Sequence, residues 1–140
     1  MSNVKVRLGV LTSVFALAAG LVAVGATPAA AEDAFSFGGL SIPSAKSYQI
    51  TVENETRGVQ SGYAMWQGDG DTLTARDGLA DGYGIVAHLS TGRVASTAGQ
   101  TSPITVNVTG DLPENVTYKM WVCVVKGSWS KCSSKIDVKS

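Results

Sequence analysis

The chain has 140 residues with 11 basic and 11 acidic side chains. Without its opening stretch Met1–Ala31, which holds Lys5 and Arg7, 109 residues carry 9 basic and 11 acidic groups, a balance near −2. That balance excludes recognition of nucleic acid through a cationic surface. The length allows one domain with one core.

Lys5 and Arg7 precede an apolar run from Leu8 to Val24, and Ala29-Ala30-Ala31 supplies small side chains ahead of Glu32. This is the three-part pattern of a cleaved secretory signal over residues 1–31. A membrane anchor is the competing reading, but Thr12, Ser13 and Gly20 dilute the run and a cleavage site follows at once. The expectation is a secreted, extracellular protein with no membrane association after cleavage.

Residues 32–46 hold Phe35, Phe37, Leu40 and Ile42 among Gly, Ser and Pro. Two readings stay open for this arm: an edge strand or flap packed on the domain, or an extended peptide whose apolar side chains anchor it to a partner. From residue 47 to 140 short β-prone runs alternate with Gly, Asp, Asn and Pro clusters, and no long segment has a 3.6-residue period. The prediction is an all-β fold, a single small antiparallel β-sandwich of immunoglobulin-like or jelly-roll-like form.

In chain order, Tyr48, Ile50 and Val52 alternate in a strand, and Val59 to Gln67 forms a second with Tyr63, Met65 and Trp66. Gly68 to Asp71 is a turn, Leu73 and Ala75 mark a third strand, and Asp77 to Gly82 turns again. Tyr83, Ile85, Ala87 and Leu89 give a fourth strand of period two before Thr91-Gly92, and Ile104, Val106 and Val108 a further one. Val116 to Val125 is apolar on both faces, as expected of a central strand covered on both sides. Lys131 to Val138 pairs with it through Gly127-Ser128. That turn sets Cys123 opposite Cys132 at a close, non-hydrogen-bonded position, although continued without a bulge it also sets Lys119 against Ile136.

Cys123 and Cys132 are the two cysteines, and in an oxidising compartment they read as one disulfide. Zinc fits poorly, because a structural site wants four ligands and the chain adds only His88. No nucleophile, base and orienting group are apparent, nor a Gly-x-Ser-x-Gly elbow. Asp69, Asp71, Asp77 and Asp81 lie in Gly-rich turns, where Asp is favoured for local hydrogen bonds, and the calcium-loop pattern with its distal Glu is not met. The expectation is therefore no catalytic residue, no metal and no cofactor. Asn54, Asn107 and Asn115 stand in Asn-x-Ser/Thr triplets, read as plain strand and turn residues behind a bacterial-looking signal. Trp66 and Trp121 are expected in the core. Trp129, just past a hairpin turn, is either an exposed binding aromatic or a cover for the disulfide.

Three strings occur in order: Arg76-Asp77-Gly78-Leu79-Ala80-Asp81-Gly82-Tyr83-Gly84, Ala95-Ser96-Thr97-Ala98-Gly99-Gln100-Thr101-Ser102-Pro103, and Tyr118-Lys119-Met120-Trp121-Val122-Cys123 with Cys132-Ser133 downstream. They resemble a family of small secreted proteins from Streptomyces and related actinobacteria. The size, export signal, single domain and apolar arm are further similar to the small adaptor subunits of umbrella toxin particles. Such a resemblance implies a non-enzymatic adaptor joining two secreted partners, a lectin-bearing subunit and a large toxin subunit, with the Phe35–Ile42 arm on one of them. A carbohydrate or cell-wall-binding module and a secreted protease inhibitor are the alternatives.

Overall fold

The computed structural model describes residues 30–140; the expected signal, apart from Ala30 and Ala31, lies outside them. The described residues form ten strands: β1 (Phe35–Ile42), β2 (Ser47–Asn54), β3 (Val59–Gln67), β4 (Thr72–Asp77), β5 (Gly84–Leu89), β6 (Val94–Ser96), β7 (Ile104–Val108), β8 (Thr117–Lys126), β9 (Trp129–Cys132) and β10 (Ile136–Lys139). A 3-10 turn, Pro43–Ala45, joins β1 to β2. Among the described residues no helix is long and apolar enough to cross a membrane.

The strands form two antiparallel sheets, one ordered β1-β2-β3-β4-β7 and the other β10-β8-β5-β6 with β9 also on β8. The connections β4 to β5, β6 to β7 and β7 to β8 cross between sheets. With β3 taken as the first strand, this is the immunoglobulin-type order, three strands facing four, with C and C′ as β5 and β6. The β1–β2 hairpin is an addition that widens the first sheet beyond that plan.

Period-two alternation builds the core between the sheets. Val52, Trp66, Leu73, Ile85, Leu89, Met120, Val122, Val124 and Val138 are buried there. The Trp66 indole N–H donates to the Lys139 carbonyl at 2.8 Å, tying the two sheets together. Arg93 stacks over the Trp66 ring at 5.6 Å and donates to the carbonyls of Asp71 and Gly110. Close approach dictates Gly62, whose Cβ would meet the Arg76 carbonyl at 2.0 Å, and Gly84, whose Cβ would meet the Ala98 Cα at 2.7 Å.

The C-terminal hairpin turns at Gly127-Ser128 with Lys126 opposite Trp129, and Gly127 has the positive φ of 56° that a tight hairpin turn demands. Cys123 sits opposite Cys132 with Cα atoms 4.0 Å apart, and the disulfide is formed. The expected single last strand is two. After Cys132 the ladder breaks, and β10 resumes one residue out of step with Ile136 opposite Met120 and Asp137 opposite Lys119. The offset returns Ile136 and Val138 to the core face and gives Asp137 an ion pair with Lys119 at 2.5 Å.

β8 lies between β5 and β9/β10, central as expected, but only its Met120, Val122 and Val124 face meets the other sheet. Trp121 is not in the core. It stands half-buried on the outer face, stacked on His88 with centroids 5.0 Å apart and planes within 5°. The Lys135 ammonium lies 4.5 Å from the Trp121 ring centroid. β5 and β10 flank β8 on opposite sides, so His88 and Lys135 approach that ring from opposite flanks.

Candidate functional site

Residues 32–46 do not stand apart from the sandwich. Phe35 to Ile42 pairs with Asn54 to Ser47 along its whole length, which makes β1 the edge of the five-stranded sheet. Side chains at odd positions turn inward. Phe35 is 1% exposed in the core and Phe37 packs half-buried against it. Phe35 thus anchors β1 to its own domain and is not presented to a partner. Even positions turn outward, and there Leu40 is 56% and Ile42 47% exposed. The arm's apolar residues therefore divide into two that hold the strand down and two that remain on the surface.

The leading residues are fastened by polar contacts. The Asp33 carboxylate accepts from Asn54 Nδ2 at 2.7 Å and Arg57 Nε at 3.0 Å, and the Asp33 N–H donates to the Tyr83 hydroxyl at 2.8 Å. The Glu32 carboxylate accepts from that hydroxyl at 2.5 Å and from Lys126 Nζ at 3.0 Å. These donors hold both carboxyls below their ordinary values: Tyr83 and then Lys126 for Glu32, Asn54 and then Arg57 for Asp33. Beneath them Phe35, Tyr83 and Trp129 form an aromatic cluster, with centroids 4.8 Å apart for Phe35–Tyr83 and 5.6 Å for Tyr83–Trp129. Trp129 packs half-buried in that cluster and does not stand clear of the surface. Sequence reasoning missed Asp33, Asn54, Arg57, Tyr83 and Lys126 as one network, because their separations, 50 residues for Asp33 to Tyr83, leave no local pattern. Asn54, in a glycosylation triplet, is wholly buried and bonded on both sides of its amide.

The Glu55 N–H donates to the Ala34 carbonyl at 2.8 Å, so Ala34 is a hydrogen-bonded ladder position toward β2. Antiparallel ladders alternate. Phe35, Phe37, Gly39 and Ser41 consequently turn their N–H and C=O groups outward, away from β2. The Phe35 carbonyl is met by Lys131 Nζ at 2.6 Å. Beyond it, Gly38 to Ile42 is exposed throughout. Edge strands are normally blunted by charge, proline or a bulge. β1 reads FSFGGLSI, with no charged residue or proline, and its pairing with β2 has no register shift.

An open cleft of about 550 Å³ lies at one end of the sandwich, lined by Tyr83 and Gly84, by Gly99 to Ser102 and by Val125 to Gly127. Four of its polar side chains are already engaged: the Tyr83 hydroxyl and Lys126 with Glu32, Gln100 Nε2 with the Ser96 carbonyl, and Ser102 Oγ with Asp77 at 2.5 Å. Burial raises the Asp77 carboxyl above its ordinary value despite that bond and one from the Leu79 N–H. His88 is displaced downward by burial on its strand. Among the described residues no three His, Cys, Asp or Glu side chains gather to hold a metal ion. The turn acids Asp71 and Asp81 accept from backbone N–H groups of Leu112 and Tyr83.

No family model, curated protein or solved structure matches this chain.

Proposed function

We propose that the protein is a non-enzymatic interaction module that docks a protein partner by strand addition along β1. The observation that carries this reading is an edge strand that no other strand among the described residues covers, with outward backbone groups at Phe37, Gly39 and Ser41 and exposed Leu40 and Ile42. Backbone hydrogen bonds supply affinity in such a mode, and alternate side chains supply specificity. The engagement of Tyr83, Ser102 and Lys126 in the cleft and the solitary, stacked His88 support a role without catalysis. The finer form of the proposal is a secreted adaptor in an extracellular antibacterial toxin assembly. It rests on the resemblance in size, signal-like leader, single-domain form and apolar arm. Glycan binding through Trp129 draws less support, because that ring packs against Phe35 and Tyr83.

The test is capture of secreted proteins from native culture supernatant by the tagged mature chain, beside a Leu40→Lys, Ile42→Lys double variant. Both positions are exposed, so the variant should unfold at the same temperature as the parent. The reading predicts defined partners with the parent and their loss with the variant; equal recovery with both would contradict it.

A further inference from the structure

The free stretch of β1 is bounded at both ends, and the bounds are symmetric. At one end the outward carbonyl of Phe35 is already bonded to Lys131 Nζ. At the other, Pro43 has no N–H to offer a neighbouring strand. Midway between these positions is Gly39, and the outward-turned residues Phe37 and Ser41 flank it evenly.

We propose that β1 pairs antiparallel with β1 of a second copy about a two-fold axis at Gly39, joining two five-stranded sheets into one. This rests on the reading of β1 as a strand-docking edge and names its partner. In this register Phe37 and Ser41 exchange hydrogen bonds with Ser41 and Phe37 of the other copy, and Gly39 with Gly39, for about six backbone bonds. Phe35 falls opposite Pro43, so the carbonyl that would find no donor is the one Lys131 already serves. Side-chain sizes agree with the register. From Phe37 to Ile42 each large residue meets a small one: Leu40 opposite Gly38, Ile42 opposite Ser36, Phe37 opposite Ser41. Leu40 of each copy lies diagonal to Leu40 of the other, within side-chain reach. The strand carries no charge, so two copies approach without repulsion along the contact. A symmetric contact on one short strand buries roughly 900 Å² in total, at the low end for specific interfaces, which corresponds to a reversible dimer with Kd in roughly the 1–100 µM range.

The experiment is sedimentation equilibrium of the mature chain from roughly 1 to 500 µM, a span that brackets this range, with Gly39→Pro, Leu40→Lys and Leu40→Glu variants. The parent should pass from monomer to dimer with rising concentration. Gly39→Pro removes an outward N–H that β2 does not use, and should stay monomeric with an unchanged β-sheet circular dichroism spectrum. Leu40→Lys and Leu40→Glu should each be monomeric alone and dimerise when mixed, since opposite charges then lie diagonal across the axis. A parent that is monomeric throughout overturns the proposal, as does a dimer that survives both Gly39→Pro and Leu40→Lys. If the parent is monomeric yet Leu40→Lys abolishes capture of a secreted partner, only the second-copy assignment fails; if neither dimer nor capture responds to β1, strand docking itself fails.

Discussion

Phe35 decides whether the leading segment belongs to the domain. It packs against both Tyr83 and Trp129 and is wholly within the core. Phe35→Ala should lower the unfolding free energy by about 3–4 kcal/mol, as for other large buried aromatics, measured by urea denaturation. A loss below about 1 kcal/mol would mean that the site collapses around the deletion or that β1 is loosely held. Asp77 makes the opposite contribution. Burial raises its carboxyl, so the folded state binds a proton more readily than the unfolded chain does. The associated stability is present below about pH 4 and is lost as pH rises through the raised value. Asp77→Asn keeps an acceptor for the Leu79 N–H and removes the buried charge. It should raise Tm at pH 7 and leave Tm nearly unchanged at pH 3, which thermal unfolding at the two values checks.

Glu32 and Asp33 run the other way. Their lowered carboxyls stabilise the attachment of the leading residues to Tyr83, Lys126, Asn54 and Arg57 above about pH 4, and that contribution disappears as pH falls further. Among residues, those with periodic partners were readable from sequence: Ile50, Val52, Ile85, Ala87, Leu89 and Val122 alternate and are buried. Trp121 was misplaced because β8 is apolar on both faces, and periodicity does not say which face meets the second sheet. Stacking with His88 and the Lys135 ammonium gives that indole a sheltered place outside the core.

At the scale of elements, the C-terminal hairpin was legible because turn chemistry fixes register: a two-residue turn at Gly127-Ser128 puts Cys123 against Cys132. The break before β10 was legible only as a conflict between charged and apolar partners, since nothing local in Ser133-Ser134-Lys135 states where the extra residue sits. β6, Val94–Ser96, is too short for a period to show. The disulfide closes a short loop, for which the chain-entropy estimate is about 2.5–3 kcal/mol. Replacing both cysteines by serine should reduce denaturant stability by that amount while β9 keeps its pairing through the hairpin turn. A loss near zero would show that the hairpin is equally restrained in the unfolded chain. β1 is the element whose role the sequence left open. Its inward and outward sides could not be told apart until the register with β2 placed Phe35 opposite the buried Asn54.

For the whole molecule, an immunoglobulin-type sandwich enlarged by one N-terminal hairpin puts a neutral, unblunted strand at a sheet edge. Lys131 and the Asp33–Asn54–Arg57 contacts secure that strand's beginning, and its second half lies exposed. Fold class was legible from alternation and turn spacing, which are local. The edge position of β1 was not, because it is a property of strand order. The most direct measurement is amide hydrogen exchange by NMR on the chain from Glu32 onward, dilute and then in the assembled state that the proposal expects. Outward amides at Phe37, Gly39 and Ser41 should exchange quickly when dilute and become protected on assembly, while those of Ser36, Gly38 and Leu40, turned toward β2, are protected in both. Unchanged rapid exchange at Phe37, Gly39 and Ser41 in the assembled state would contradict strand addition along β1.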